Sequence, residues 1–523
     1  MKPLVLPRGA PGSLGRCALA TAATLALVSC GGGNEFGASD LAGKAGPELS
    51  CEYRVNNTQD KLLACVTLDG VRRHQAALQA IADANDDTRA AGTPGYDASV
   101  RYIADMMTAA GYEVRLDAFL FNYVPPAVLQ QTAPVSATYE TGTFTGSGTG
   151  NVTAAVTAVD INLALPRDNT SGCEAADFAG FPAGSIALVQ RGTCNFSVKA
   201  LNAQAAGASA VIIFNQGNTS DREPLIVGTL TPATTSIPVV GASFANGVSL
   251  AQAGSVARVR VEAPREVTQY NVIAESRGGN PNNVVMAGAH LDSVQRGPGI
   301  NDNGSGSAAI LETAIQMARV TPRNKLRFAW WGAEEAGLVG STAYVAGLSA
   351  QDKARIALYL NFDMVGSPNH VFFIYDGDDS DGVGAGPGPG GSAQIEKVFE
   401  GFFTARGIPF KGTDFSGRSD YGPFIAQGIP AGGLFTGAEG IKTPEEEAIW
   451  GGTAGEQYDP CYHLACDTFD NNSNAALETN SDAIAYAVLQ FAMNTQAVNA
   501  HRGKGNFRMP PLEESDLRGT ATR

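Results

Sequence analysis

His290, Asp302, Glu335, Asp363 and His463 are the residue types from which a two-zinc site is built, and each falls where an apolar run gives way to a loop. Open α/β sheets hold their ligands at such strand ends. Zinc takes neutral imidazole nitrogen and carboxylate oxygen, and a catalytic site keeps a position for water. Two ions about 3.5–4 Å apart clamp the attacking and leaving oxygens of one displacement, and a bridging carboxylate such as Asp302 can hold them at that distance. One His and one terminal carboxylate per ion complete the set. Glu334 stands beside Glu335, and neighbouring side chains diverge, so one can bind metal while the other faces the substrate as general base. Hydrolysis is the chemistry this set implies.

Strands and one helix must position these groups. Residues 283–289 form a short apolar run ending at His290, and Asp292 would hold the imidazole's other N–H and so fix the metal-binding tautomer. Residues 299–306, Gly-Ile-Asn-Asp-Asn-Gly-Ser-Gly, make a tight turn into a helix whose Ile310, Leu311, Ala314, Ile315 and Ala318 share one face. Asp302 therefore sits at a helix start. Residues 326–331 are the next strand, before Glu334 and Glu335; residues 356–362 lead into Asp363; Cys461-Tyr462-His463 supplies the last imidazole.

These segments, with Ala333-Glu334-Glu335-Ala336-Gly337 and Asn361-Phe362-Asp363-Met364-Val365-Gly366, resemble the secreted bacterial leucine-type aminopeptidases with co-catalytic zinc along roughly residues 266–497. The resemblance implies two Zn2+ per chain, His290, Asp302 and Asp363 on one and Asp302, Glu335 and His463 on the other. It also implies Tyr462 as a stabiliser of the tetrahedral oxyanion and a cis Asp302–Asn303 peptide. One departure is Tyr421, in Ser419-Asp420-Tyr421-Gly422-Pro423-Phe424, where many relatives carry His; that stretch lines the substrate side, so specificity is what it puts in doubt. Taken singly, a His at a strand end is more often a satisfied polar residue than a ligand. The chain has only five His, and two fall in the matching segments, which decides for ligation. His74, His370 and His501 read as surface or packing residues, and Asp467 as a cap or turn residue.

The first residues place the protein. Lys2, Arg8 and Arg16 precede an apolar stretch, Cys17 to Val28, too short to span a bilayer comfortably, so residues 1–29 read as a signal peptide. Leu27-Val28-Ser29-Cys30 followed by three Gly resembles a bacterial lipobox, which implies lipidation of Cys30, and residues 30–47 read as a flexible tether. An exported protein lipid-anchored to a bacterial membrane, periplasmic or at the cell surface, follows, with release left open. Loss of residues 1–29, which carry those three cations and no acid, takes the net charge from −15 to −18. That argues against a nucleic-acid partner. Of eight Cys, six remain beyond Cys17 and Cys30, and proximity suggests Cys51–Cys65, Cys173–Cys194 and Cys461–Cys466, which suits an oxidising compartment.

Residues 48–140 read as the N-terminal part of the peptidase domain, helical at first. Residues 145–264 change to short strands and Gly-rich turns, and residues 184–196 and 205–215 resemble the protease-associated domain. Residues 266–497 hold the zinc peptidase domain, closed by an amphipathic helix at 483–496 with Ile484, Val488, Phe491 and Ala492 inside; residues 501–523 read as a polar tail. Asp376, Asp378, Asp379 and Asp381 offer oxygen ligands for Ca2+, against the stronger reading of a solvated loop.

The expected fold is a mixed-sheet α/β/α zinc-exopeptidase (phosphorylase/hydrolase-like) domain with an inserted β-rich protease-associated domain. The expected function is a monomeric metallo-aminopeptidase that removes N-terminal residues from peptides with a free N-terminus, by a zinc-bridged hydroxide with Glu334 as base. The alternatives are a zinc carboxypeptidase of the same fold acting on C-terminal acidic residues, a single-zinc cyclase, and an inactive surface peptide-binding protein.

Overall fold

The computed structural model describes residue 51 and residues 53–502. The leader, the tether, Cys30 and residues 503–523 lie outside the described residues.

Fifteen strands are named here in chain order. β1 (Glu113–Tyr123) is followed by β2 (Val128–Ala133), β3 (Ala137–Tyr139), β4 (Gly150–Ala158), β5 (Ile186–Gln190), β6 (Ala210–Phe214), β7 (Val239–Ala242) and β8 (Val256–Val261). Then come β9 (Arg265–Glu275), β10 (Asn280–His290), β11 (Asn324–Trp331), β12 (Ile356–Phe362), β13 (Phe373–Tyr375), β14 (Lys411–Thr413) and β15 (Ala431–Phe435). The larger sheet has the order β1-β9-β11-β10-β12-β15-β13-β14. Its centre, β11-β10-β12-β15, is parallel, so the carboxyl ends of four adjacent strands open on one side.

Alternation along these strands builds two cores. Leu326, Phe328 and Trp330 of β11 face one layer, while Ala329 and Trp331 face the other. The first layer holds the Leu68–Asp83, Pro94–Ala109, Gly304–Met317, Ser392–Arg406 and Asn474–Met493 helices; the second holds Val339–Gly347 and Tyr421–Ala426. The Gly304–Met317 helix is buried almost all round because it lies between the sheet and the Leu68–Asp83 and Asn474–Met493 helices. The closing helix starts at Asn474, earlier than residue 483, and Ile484, Val488, Phe491 and Ala492 are buried as expected. His501 is not in the tail: it ends the Gln496–His501 helix, and Arg502 donates to the Lys353 and Ala354 carbonyls.

The second sheet, β3-β2-β8-β4-β5-β6-β7, is the insert. It begins before residue 145, because β2 and β3 belong to it: β2 pairs antiparallel with β8, so the entering strand lies against the leaving one. The antiparallel β1–β9 pair frames the insert, with Tyr123 opposite Arg265. The loop after His290 touches this region, where Glu140 pairs with Arg296 and Gln295 donates to the Val124 carbonyl at 2.9 Å. Disulfides join Cys51 to Cys65, Cys173 to Cys194 and Cys461 to Cys466. Among the described residues no helix is long and apolar enough to cross a membrane.

Candidate metal centre

His290 is the last residue of β10, Glu334 and Glu335 follow β11, and Asp363 follows β12. Three neighbouring parallel strands thus deliver their next residues to one point. Asp302 arrives on the turn before the Gly304–Met317 helix, where Asn303 is the N-cap and accepts from the Gly306 N–H. Gly306 is required there: a Cβ would lie 2.2 Å from the Phe362 carbonyl oxygen. The Asp302–Asn303 peptide is cis. His463 has φ +58° in the short loop closed by the Cys461–Cys466 disulfide.

The side chains converge as two overlapping triads. His290 Nε2 lies 3.2 Å from Asp302 Oδ1 and 3.2 Å from Asp363 Oδ1. His463 Nε2 lies 3.2 Å from Asp302 Oδ2 and 3.1 Å from Glu335 Oε2. One imidazole N–H points at one acceptor, so a nitrogen held equally close to two carboxylates is better served by a cation between all three. A tetrahedron with zinc–ligand arms of 2.0–2.1 Å has edges of roughly 3.3 Å, close to these separations. Asp302 gives one oxygen to each triad, the disposition of a bridge. Glu334 Oε2 stands further off, 4.0 Å from His290 Nε2, and the adjacent carboxylates diverge towards different imidazoles.

Charge makes the same case. Asp292, Asp302, Asp420, Asp459 and Asp467 are buried beside Glu334, Glu335 and Asp363, against one buried guanidinium, Arg89. Burial raises the Glu334 and Glu335 carboxyls above their ordinary range, and takes Asp420 to about 7. Burial also opposes charge on His463, but Glu335 and Asp302 outweigh it and push the imidazole up to about 11. Glu335 Oε1 is buried without a hydrogen-bond partner. Such a donor set fits divalent cations, which neutralise several carboxylates at once.

The surrounding contacts hold the geometry. Asp467 accepts the Asn301 N–H at 2.8 Å and the Asp302 N–H at 2.9 Å, one on each oxygen; it is the turn residue expected. Asp292 does not grip the imidazole as expected. His290 Nδ1 lies 3.0 Å from the Asp292 backbone carbonyl and 3.7 Å from its carboxylate. The carboxylate is drawn instead to the Glu334 and Glu335 N–H groups, at 3.1 and 3.4 Å, and so fixes that turn. Sequence reasoning missed three groups. Ser419 donates to Asp363 Oδ2 at 2.6 Å and receives from Asn361 Nδ2 at 2.8 Å; its segment was singled out, but only for specificity. Asp459 binds Asn301 Nδ2 at 2.7 Å and the Cys461 N–H at 2.8 Å. Arg89 donates to the Leu291, Pro298 and Gly299 carbonyls from some 200 residues away, and no spacing could have pointed to it.

A cleft of about 350 Å³ opens above the triads, with Glu334, Tyr462 and Arg418 on its polar side and Met364, Phe373, Tyr375, Phe435 and Tyr458 on its apolar side. Tyr421 lines it too, buried, with its hydroxyl accepting the Gly417 N–H at 2.8 Å. Of the other sites, Asp376 spends its carboxylate on the N–H groups of Asp378, Ser380 and Asp381. It is a buried turn anchor rather than a solvated group. His74 is buried between Tyr102 and Glu312, and His370 is half-buried.

Residues 271–488 match peptidase family M28, and residues 152–250 match the PA domain. An aminopeptidase of Pseudomonas aeruginosa is 50% identical over 497 residues, 93% of this chain and 92% of that one. The probable lipoprotein aminopeptidase LpqL of Mycobacterium tuberculosis is 42% identical over 448 residues, 83% and 87% of the two chains. Among solved structures, a zinc aminopeptidase from Bacillus subtilis superposes with a TM-score of 0.56 at 26% identity, covering 82% of this chain and 96% of that one.

Proposed function

The chain belongs to peptidase family M28, carries an inserted PA domain and is a zinc-dependent aminopeptidase; from that premise we propose that it works with two zinc ions bridged by Asp302. The observation that carries this reading is the division of Asp302, whose two oxygens face different imidazoles at 3.2 Å each. His290 and Asp363 would complete one ion's protein ligands, Glu335 and His463 the other's. Zinc held by these residues would supply Lewis acidity to the attacking water and to the first peptide carbonyl.

The chain's own groups do the rest. Glu334, close to both triads yet outside their shortest contacts, takes a proton from the attacking water at Oε2 and returns it to the leaving amine as the C–N bond breaks. Its burial raises its proton affinity above that of an ordinary carboxylate, the direction a general base needs. Tyr462 donates its hydroxyl to the oxygen that becomes negative. Glu334 and Asp363 also present negative charge to the substrate's free α-ammonium, which restricts attack to the first residue. Asp292 holds the Glu334–Glu335 turn, and Asp467 holds the Asp302 turn. Outside the described residues, the signal peptide and lipidated Cys30 would place the enzyme beyond the inner membrane; the relative named as a lipoprotein supports this.

A panel of aminoacyl chromogenic amides and blocked peptides, given to the zinc-loaded protein, tests the reading. Free-amine amides are cleaved and their N-blocked counterparts are not. Cleavage of blocked peptides ending in glutamate, with the amides untouched, would transfer the function to a carboxypeptidase.

A further inference from the structure

Tyr462 is held from two sides. Its ring stacks on the His463 imidazole, with centroids 3.8 Å apart and planes at 25°. Its phenol oxygen lies 3.3 Å from Arg418 Nη2, while Arg418 Nη1 is 2.7 Å from Glu439 Oε1. Arg418 and Glu439 both line the cleft, and their side chains are 43% and 44% exposed. An ion pair so exposed adds little to stability. What it does hold is the guanidinium against the phenol.

A guanidinium has five donors and no acceptor. The Arg418–Tyr462 bond therefore uses a lone pair of the phenol oxygen, and the hydroxyl hydrogen must point elsewhere. Since the ring is fixed by the stack, the open direction is the cleft. A donor into the oxygen also polarises the O–H, strengthening it as a donor in turn.

We propose that Arg418, oriented by Glu439, is a positioning residue that aims the Tyr462 hydroxyl at the developing oxyanion. This rests on the reading of Tyr462 as the oxyanion donor. The substrate carbonyl need not touch Arg418, and the contribution of Arg418 to turnover passes through Tyr462 alone.

A double-mutant cycle on the zinc-loaded full chain tests it. Tyr462→Phe lowers kcat about 10²-fold, and Arg418→Ala lowers it about tenfold with KM and zinc content unchanged. Arg418→Ala placed in the Tyr462→Phe background costs nothing more. Arg418→Lys restores little, since an ammonium cannot reach phenol and carboxylate with one planar fork. Losses that multiply in the double variant, or an Arg418→Ala effect confined to KM, would overturn the proposal and make Arg418 a direct substrate contact. Full activity in Tyr462→Phe would instead overturn the role of Tyr462 and the proposal with it. Arg418 is half-exposed, so its alanine variant is expected to fold, and unchanged zinc content reports that it has.

Discussion

Asp292 illustrates what a residue's type can and cannot tell. An acid two places after a strand-end His predicts a clasp on the imidazole, and the clasp exists, but the backbone carbonyl of Asp292 makes it at 3.0 Å. The carboxylate goes to two N–H groups of a turn 42 residues on, a choice settled by how β10 and β11 pair. His290, Glu335 and Asp363 were legible because each stands at or just beyond the end of an apolar run, and Asp302 because it sits in a Gly-rich turn at a helix start; Ser419 and Arg418 were not, because their partners meet only through the fold. His370 was legible only as a bland residue, and the structure makes it a pH sensor of stability. Burial first, then Lys442, lowers its pKa to about 4. Below the unfolded value near 6.5 the unfolded chain takes up a proton that the folded one refuses, so stability falls as pH drops from about 6.5 to 4 and levels off beneath. The full window is worth up to about 3 kcal/mol. Urea midpoints across that range should slope more steeply for the natural chain than for His370→Gln; parallel slopes would remove His370 from the account.

At the scale of elements, the strands that carry the centre could be read from sequence because buried parallel strands are short apolar runs. Boundaries set by pairing could not. β2 and β3 have no local mark that assigns them to the insert; only their register against β8 does. The closing helix runs back to Asn474, where Ser473 is the N-cap and accepts the Ala476 N–H at 3.3 Å; that cap was the local mark of its start. Arg89 shows how distant elements are tied: fully buried, it binds three carbonyls of the loop between His290 and Asp302. Burial lowers its pKa to about 10, opposed first by Asp292, so it stays charged. Arg89→Met should cost about 3–5 kcal/mol, the range for breaking a buried ionic network from one side, and weaken zinc retention. Chemical denaturation measures the first; a loss under about 1 kcal/mol would show that the loop is held without it.

For the whole molecule, acidity and six paired cysteines agree with the export that the first thirty residues led us to expect, and the two-sheet architecture follows from a change of texture visible along the chain. The proposed lipid anchor falls on residues outside those described. Mass spectrometry of the mature N-terminus should find Cys30 carrying two or more acyl chains, enough for stable anchoring; an unmodified terminus elsewhere would refute it. Eight carboxylates gather around the two histidines, and two of them, Glu334 and Glu335, are assigned opposite duties. Zinc content measured alongside kcat for Glu334→Gln and Glu335→Gln tests that division most directly. The account predicts two zinc ions per chain in Glu334→Gln with kcat lowered about 10²-fold or more, and one weakened ion in Glu335→Gln. Equal zinc loss in both variants would contradict it.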